Sequence, residues 1–300
     1  MNAVEMALSW VDDEVAAGTI ELSTADDYRK SIRSWSNYIP EDPTRQDVDR
    51  GVRAMVRDGR APSTIRKRLV TMRRAYQSLV WSGLVTSNPF DGVRKPKVAR
   101  SEKNYLPVEE RERLKARISS QNSRLMVASA LALYAGLREA EICALRCRDI
   151  ELERSVGWVR SSIGRDGGKF YVKEPKNGRM RDFPIPEPLS MTIARWMDTN
   201  SARGNDYLLT LSQDFMNPVV LGRLWSSLCE VEGFVGVLGK RPTFHDLRHT
   251  YATVAISAGV DVKTVSSVLG HSSAAMTLDV YAVADPIAKR TSAEVLARVI

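Results

Sequence analysis

Apolar and polar positions alternate through the first ninety residues with the period of an α-helix. The apolar side chains recur three or four positions apart, which places them on one face of a helix. Four such stripes run from Val4 to Val15, from Tyr28 to Ile39, from Val48 to Met55 and from Ile65 to Leu79. The pattern predicts four amphipathic helices in residues 1–90, able to bury their apolar faces against one another.

Capping signals and a change of composition mark the ends of these helices. Thr24 with Asp27, and Thr44 with Asp47, have the spacing of a capping box at a helix start. Residues 88–104 then carry two prolines, a glycine, five bases and few large apolar residues. Such a stretch is typical of an exposed linker, so we predict a basic linker at 91–104 and a second domain at 105–300.

The second domain begins with helical periodicity and then changes period. Helices are predicted from about Pro107, near 124–134, and after Gly136. Short alternating runs at 157–163, 170–174 and 179–185 predict three strands, and the Asn177 and Gly178 pair predicts a hairpin between the last two. Helical periodicity resumes from Pro186 to the C-terminus. The predicted fold is mainly α-helical with a small three-stranded β-sheet.

Composition places the chain among ordinary globular proteins. Of 300 residues, 43% are hydrophobic and 27% are charged, so a packed core is expected. The longest mainly apolar run has thirteen residues, fewer than the roughly 20 that a membrane-spanning helix needs. The N-terminus is acidic, unlike a secretory signal, and the three cysteines lack the paired spacing of a zinc site. These features predict a cytoplasmic protein with no membrane partner.

Positive charge is concentrated in one part of the chain. The net charge is +8, but residues 1–28 hold seven acids and no base, whereas residues 60–100 hold ten bases and one acid. On the fourth predicted helix Arg66, Lys67, Arg73 and Arg74 lie off the apolar stripe. A solvated helix face is the simpler explanation, but the cluster also suits a polyanion, so these four residues are candidate DNA contacts.

Candidate chemistry lies in the second domain. His245, Arg248 and His249 have the spacing that places them on one face of a helix. His271 follows a helix that ends at Gly270, and a tyrosine comes ten positions later. Two arginines held on helices, Arg138 and Arg248, have the paired donors needed to grip the oxygens of a phosphate.

A zinc hydrolase is one alternative explanation of these residues. The run from His245 to His249 resembles the HExxH motif, with Asp246 in place of glutamate and His271 as a third ligand. The shorter Asp246 would hold a water differently, and Arg248 would place a permanent positive charge beside the metal. We therefore expect no metal and no other cofactor.

Several separated motifs together resemble those of the tyrosine recombinases of the phage integrase family. Their order along the chain and their spacing both agree with the family pattern, and the resemblance extends over the whole chain. The matching positions are Gly136, Leu137, Arg138 and Glu141 of the first box, Lys176 eight residues before Pro184 and Ile185, His245, Leu247, Arg248 and His249 of the second box, and Leu269 through Tyr281.

The resemblance implies a metal-free transfer of a DNA phosphate. Tyr281 would be the nucleophile, forming a 3′-phosphotyrosyl link and releasing a 5′-hydroxyl. Arg138 and Arg248 would neutralise the charge on the phosphorane. Lys176 would protonate the leaving oxygen, and His245 would accept the tyrosyl proton.

Supporting roles follow from the same resemblance. His271 would donate a hydrogen bond to the phosphate, and Glu141 would hold the first box in shape. His249 is expected to be structural. A DNA-binding module with an inactive catalytic domain would lack at least one of the six catalytic residue types, and all six are present.

The resemblance also implies an architecture and partners. Residues 1–90 would be a helical core-binding domain that closes with the catalytic domain into a C-shaped clamp around DNA. Four copies of the chain would bind double-stranded DNA with short core-type sites and exchange strands through a Holliday junction. The C-terminal tail from about residue 282 would dock on a neighbouring copy. No arm-binding domain is expected. The preferred function is a phage or mobile-element integrase; a Xer-type chromosome-dimer resolvase and a type IB topoisomerase are the alternatives.

Overall fold

The computed structural model describes residues 2–99, 102–174, 180–201 and 204–270. These residues form two compact units. One contains the described residues of Met1–Arg100 together with Gly164–Tyr171, and the other contains those of Ser101–Ile163 and Val172–Ile300. No helix in the described part of the chain is long and apolar enough to cross a membrane.

The described residues of the first unit form four helices, one for each apolar stripe, but the second helix ends at Arg33, before Trp35 and Ile39 of its predicted stripe. The four helices are α1 (Ala3–Ala16), α2 (Leu22–Arg33), α3 (Arg45–Arg57) and α4 (Pro62–Trp81). The capping box at Thr44 is confirmed, because its side chain and that of Asp47 bond to each other's backbone. The box predicted at Thr24 is wrong, because α2 begins two residues earlier and Thr24 lies within its first turn.

The core of this unit extends beyond the last of the four helices. Trp35 is fully buried and meets the ring of Phe90 edge-on, with 5.4 Å between ring centroids. Phe90 also lies 5.1 Å from the ring of Tyr76, and Val93 is buried in the same cluster. The segment where the sequence predicts the start of a linker therefore contributes side chains to the helical core.

The second unit is a bundle around one buried helix. Its helices are α5 (Val108–Ser120), α6 (Arg124–Ala135), α7 (Glu139–Ile142), α8 (Glu187–Asn200), α9 (Pro218–Glu232), α10 (Phe244–Ser257) and α11 (Val262–Leu269). Helix α6 is buried along most of its length and packs against α8 and α10. Because α6 is buried on several sides, its sequence is apolar on every face. Its many alanines let the neighbouring helices approach closely.

In the described part of the chain, five short strands form two small sheets. They are β1 (Ile150–Glu151), β2 (Val156–Val159), β3 (Ser162–Asp166), β4 (Lys169–Lys173) and β5 (Arg181–Pro184). Strands β1, β2 and β5 make an antiparallel three-stranded sheet, while β3 and β4 make a two-stranded sheet. The mainly helical fold class with a small sheet is confirmed.

The pairing of the strands differs from the prediction. The run at 157–163 is divided between β2 and β3, and β5 pairs with β2 rather than with β4. The hairpin turn falls at Gly167 and Gly168, whose φ angles of 53° and 89° are those that a tight hairpin requires. The Asp-Gly-Gly run at 166–168 is thus a hairpin signal that the sequence interpretation did not use. Asn177 and Gly178 lie outside the described residues.

Candidate active site

The first box of the sequence folds into a tight turn around its own glutamate. Arg138 caps α7, and its backbone nitrogen donates to Oε2 of Glu141 at 2.9 Å. The Arg138 guanidinium donates from Nη1 to Oε1 of the same carboxylate at 2.8 Å. Because Glu141 is only 5% exposed, this arrangement fixes the direction in which Arg138 leaves the backbone.

Arg248 of the second box is held between the ends of two helices. Its Nη1 donates to the carbonyl oxygen of Gly136 and its Nη2 to that of Leu269, both at 2.7 Å. These carbonyls end α6 and α11, where the backbone carries partial negative charge. Arg248 is 3% exposed, so its charge is balanced by helix ends rather than by water.

Both helices end at a glycine because a side chain would not fit there. Gly136 and Gly270 have φ angles of 65° and 62°, the left-handed conformation of a helix C-cap. A Cβ on Gly136 would lie 2.6 Å from Cδ1 of Tyr251, and one on Gly270 would lie 2.9 Å from Nε of Arg181. These glycines bring the backbone close enough for arginine side chains to reach it.

Arg181 on β5 belongs to the same cluster, although the sequence interpretation did not assign it a role. Its Nη1 and Nη2 donate to Oε1 and Oε2 of Glu141 at 2.9 and 2.6 Å, and its Nε donates to the carbonyl of Val268 at 3.1 Å. One sequence signal was present. Strand alternation places Arg181 on the same side as the buried Phe183, and an arginine facing a core requires a carboxylate partner.

The cluster is strongly positive. Burial alone would raise the pKa of Glu141, but hydrogen bonds and charge from Arg181 and Arg138 lower it to about 2. Burial, Arg138 and Arg181 lower the pKa of Arg248 to about 9, which still leaves its guanidinium charged at neutral pH. Three guanidinium groups therefore surround one carboxylate, and the excess positive charge suits the binding of a phosphate.

The two histidines of α10 lie beside this cluster. The rings of His245 and His249 meet edge to face with centroids 4.7 Å apart; His245 is exposed and His249 is half-buried. Desolvation by the surrounding protein and the charge of Arg248 lower the pKa of His245. The lowered pKa favours a neutral imidazole at pH 7, which is the form that accepts a proton.

The surroundings of Asp246 disfavour the zinc alternative. Its Oδ2 accepts a hydrogen bond from the backbone nitrogen of Thr243 at 2.7 Å, in the capping box of α10. The carboxylate is thus used at the start of the helix, whereas a water-activating group must face the metal. Arg248, two residues from Asp246, lies close to Arg138 and Arg181, so the site already carries several positive charges that would repel a metal cation.

Three of the predicted catalytic residues lie outside the described residues. They are Lys176, His271 and Tyr281. The structure therefore brings together Arg138, Glu141, His245, His249 and Arg248, and adds Arg181 to them. His271 directly follows Gly270, the last described residue, in the sequence.

The predicted DNA contacts on α4 divide into two kinds. Arg66, Lys67 and Arg74 are exposed, and Arg66 makes no side-chain bond to another described residue. Lys67 pairs with Asp27 at 2.9 Å. Arg73 differs from the expectation of a solvent-facing base. It is half-buried and donates through Nε and Nη2 to the carbonyl of Phe90 at 3.1 and 2.8 Å, which fastens the end of this unit.

Comparison with known proteins gives several tyrosine recombinases among the relatives. A tyrosine recombinase of Thermosipho africanus is 26% identical over 268 residues, covering 86% of this chain and 88% of the relative. Tyrosine recombinase XerA of Thermococcus kodakarensis is 29% identical over 185 residues, covering 62% of this chain and 60% of the relative.

Solved structures share the fold. The Tn1549 transposon integrase, in complex with a circular intermediate DNA, has a TM-score of 0.79 at 21% identity, covering 98% of this chain and 99% of that one. A lambda integrase tetramer bound to a Holliday junction has a TM-score of 0.68 at 18% identity, covering 90% and 76%. The sequence model of the Phage integrase family matches residues 104–286. With that match over more than half of its length, the chain belongs to the phage integrase family and is a tyrosine-type site-specific recombinase.

Proposed function

We propose that this recombinase is a phage or mobile-element integrase that cleaves and rejoins DNA strands through a 3′-phosphotyrosyl intermediate. The observation that carries the proposal is the convergence of Arg138 and Arg248, with Glu141 and His245, at the ends of α6 and α11. Guanidinium groups held in this way stabilise charge that develops on a transferring phosphoryl group.

In the proposed cleavage step the hydroxyl oxygen of Tyr281 attacks the scissile phosphorus. The new bond joins that oxygen to phosphorus, and the bond from phosphorus to the 5′-oxygen breaks. His245 accepts the tyrosyl proton, which its lowered pKa permits, and Lys176 donates a proton to the departing 5′-oxygen. Attack by the 5′-hydroxyl of a partner strand reverses the same steps and rejoins the DNA.

The phosphate would be held by the remaining residues. Arg138 would contact its nonbridging oxygens, because that side chain is 35% exposed and can reach an anion from solvent. Arg248 is buried and would contribute its positive charge from the interior side of the site. His271 would donate a hydrogen bond to the phosphate. The energy of the phosphodiester is kept in the tyrosyl link, so neither ATP nor a metal enters the proposed reaction.

The proposed partners are DNA and further copies of the chain. Four copies on two short core-type sites would exchange strands through a Holliday junction, an assembly that the lambda integrase structure contains. In this chain the tail from residue 282 would dock on a neighbouring copy and link assembly to the placement of Tyr281.

A Xer-type resolvase is the second candidate. The ten-residue interval from His271 to Tyr281 and the sequence MTLDVY favour an integrase. Similarity to tyrosine recombinase XerA of Thermococcus kodakarensis supports the Xer-type alternative instead. The two functions differ in their DNA sites: an integrase joins an element to a separate target, whereas a resolvase acts on two copies of one chromosomal site.

Covalent trapping on DNA tests the proposal. The full chain is incubated with nicked duplexes made from the sequence beside its gene, and adducts are resolved by denaturing electrophoresis. The wild type should form a covalent adduct on one sequence only, and Tyr281→Phe should bind the same duplex and form none.

Each other outcome would lead to a different conclusion about the nucleophile or the function. An adduct with Tyr281→Phe would overturn the assignment of the nucleophile. Relaxation of a supercoiled plasmid that lacks any such site would indicate a topoisomerase. Recombination between two identical chromosomal sites, without joining to a separate target, would favour the resolvase over the integrase.

A further inference from the structure

We propose that Arg181 is a positioning residue of the strand-transfer reaction, acting through Glu141 and the end of α11. The inference rests on the proposed function, because it concerns the same phosphate site. Arg181 is not among the six residues assigned to the chemistry above. Its hydrogen bonds link Glu141, the partner of Arg138, to the end of α11.

The first contact is a shared carboxylate. Each oxygen of Glu141 accepts one hydrogen bond from Arg138 and one from Arg181. Arg181 supplies the bidentate pair of guanidinium bonds, at 2.9 and 2.6 Å. Such paired bonds fix orientation as well as distance. Arg181 therefore sets the plane of the carboxylate against which Arg138 is oriented.

The second contact is with the end of α11. Three consecutive carbonyl oxygens there accept from three different arginines: Val268 from Arg181 at 3.1 Å, Leu269 from Arg248 at 2.7 Å, and Gly270 from Arg138 at 3.0 Å. Arg181 is the member of this group that comes from the sheet. It thus links β5 to the backbone that immediately precedes His271 in the sequence.

Exposure and bonding indicate that Arg181 acts indirectly. Its side chain is 18% exposed, half the value for Arg138, and its Nε, Nη1 and Nη2 all donate to protein oxygens. A guanidinium engaged at all three nitrogens is positioned to hold protein groups in place. Arg138, which is more exposed, remains the group able to meet the DNA phosphate.

Removing Arg181 has a consequence that a change of packing alone would not have. Arg181 is the strongest influence lowering the pKa of Glu141, against the burial that raises it. Without it that pKa rises, and protonation of Glu141 at mildly acid pH weakens its hold on Arg138. Cleavage by the variant should then decline more steeply than wild-type cleavage as the pH is lowered.

The test compares Arg181→Ala and Arg181→Lys with wild type in single-turnover cleavage of the trapping duplex at saturating DNA. Arg181→Ala should bind DNA with unchanged affinity and cleave about 10- to 100-fold more slowly, the cost of a misplaced catalytic group. Its rate relative to wild type should fall further from pH 8 to pH 5.5. Arg181→Lys should recover part of the rate and most of the pH profile. Arg154→Ala, which removes an arginine that is 78% exposed and pairs with Glu151, is the matched control and should cleave normally.

A double-mutant cycle with Glu141→Gln shows whether Arg181 acts through Glu141. Adding Arg181→Ala to Glu141→Gln should slow cleavage by much less than it slows the wild type, because the shared interaction is already absent. Fully additive effects, a constant rate ratio across pH, or a defect confined to DNA affinity would each overturn the inference. Should Arg181→Ala fail to fold, a folded Arg181→Lys with wild-type rate and pH profile would also overturn it. Absence of any adduct from the wild type would instead contradict the proposed function.

Discussion

Nη1 of Arg248 lies 2.7 Å from the carbonyl oxygen of Gly136, and this hydrogen bond joins positions 112 residues apart in the chain. It connects the second box of the sequence to the first, because Arg138 follows Gly136 by two residues. The carbonyl is at the end of α6, where no further turn of helix can satisfy it. The side chain proposed to act on the phosphate therefore also satisfies a backbone carbonyl that the fold leaves without a helical partner.

Arg248→Lys should show both roles. A lysine keeps the charge but has a single ammonium in place of a planar fork, so one of the two carbonyls now bound is left without a donor. We expect the free energy of unfolding in urea to fall by about 1–3 kcal/mol, the cost of a buried polar group without a partner. Cleavage should fall as well.

The control for this variant is Arg241→Lys. Arg241 is about half exposed and pairs with Glu230 at 3.3 Å. Its replacement should change the free energy of unfolding by less than about 0.5 kcal/mol. Equal effects of the two substitutions would mean that the fork of Arg248 contributes nothing to stability.

Local patterns in the sequence were enough to predict the helices but not the cluster. The apolar stripes on α1 to α4 follow from helix periodicity alone, and the i, i+3, i+4 spacing places His245, Arg248 and His249 on one helix. The proximity of Arg248 to Arg138 depends instead on two helix ends that lie close together, the end of α6 at Gly136 and the end of α11 at Gly270. That is a long-range relationship that periodicity does not contain.

The errors have physical causes of the same kind. The sequence predicted that β5 pairs with the strand before it, whereas β5 pairs with β2, and local turn signals do not determine such a pairing between distant strands. Arg73 lies off the apolar stripe of α4, yet its length lets it reach the carbonyl of Phe90. Arg181 was missed because its partner, Glu141, is forty positions away.

Glu139 gives a prediction about pH. Burial raises its pKa, and its Oε1 has no hydrogen-bond partner among the described residues. The folded state therefore holds this proton more tightly than the unfolded state does, so the stability associated with it is present at low pH and lost as the pH rises through the folded-state pKa. Glu139→Gln cannot ionise and should raise the free energy of unfolding at pH 7 by about 1 kcal/mol.

Urea titrations at pH 4.5 and pH 7 check this prediction. The advantage of Glu139→Gln over wild type should be larger at pH 7 than at pH 4.5. Glu109→Gln, at an exposed position on α5, is the control and should show little difference between the two values. A Glu139→Gln variant that is less stable than wild type at pH 7 would show that the charged form has a favourable partner.

The basic residues of α4 are tested by the salt dependence of DNA binding. Arg66→Ala with Lys67→Ala should weaken binding and reduce the slope of log affinity against log salt by about 0.9 for each phosphate that is no longer neutralised. Arg73→Ala should instead lower the free energy of unfolding, because Arg73 holds the carbonyl of Phe90. If the double variant leaves the slope unchanged, these charges form a solvated surface.

The proposed role of Lys176 predicts a chemical rescue. Lys176→Ala should cleave ordinary DNA slowly, because the departing 5′-oxygen lacks a proton donor. A duplex with sulfur in place of that oxygen needs little protonation to depart and should restore the rate. Without rescue, and with DNA binding intact, Lys176 would be assigned to contact with the phosphate instead.

The C-terminal tail is predicted to act in the assembly of several copies on DNA. Its final residues, from Ser292 to Ile300, include Ala293, Leu296, Val299 and Ile300 at helical spacing. Such an apolar stripe needs a surface to cover it. Folding back on its own domain is one solution, and docking on a neighbouring copy is the one we propose. Docking on a neighbour would make the placement of Tyr281 depend on a second copy of the chain.

Deleting residues 290–300 separates the two solutions. If the tail docks on a neighbour, the shortened protein should bind a single half-site with nearly unchanged affinity, because one copy requires no neighbour there. It should fail to form the two-site complex, and strand exchange should fail with it. Gel-shift titration against a duplex with two half-sites would show the single-copy band persisting at concentrations where the full chain forms larger complexes. Normal assembly and recombination by the shortened protein would mean that the tail covers its own domain, since a tail needed by its neighbour cannot be removed without disrupting the complex.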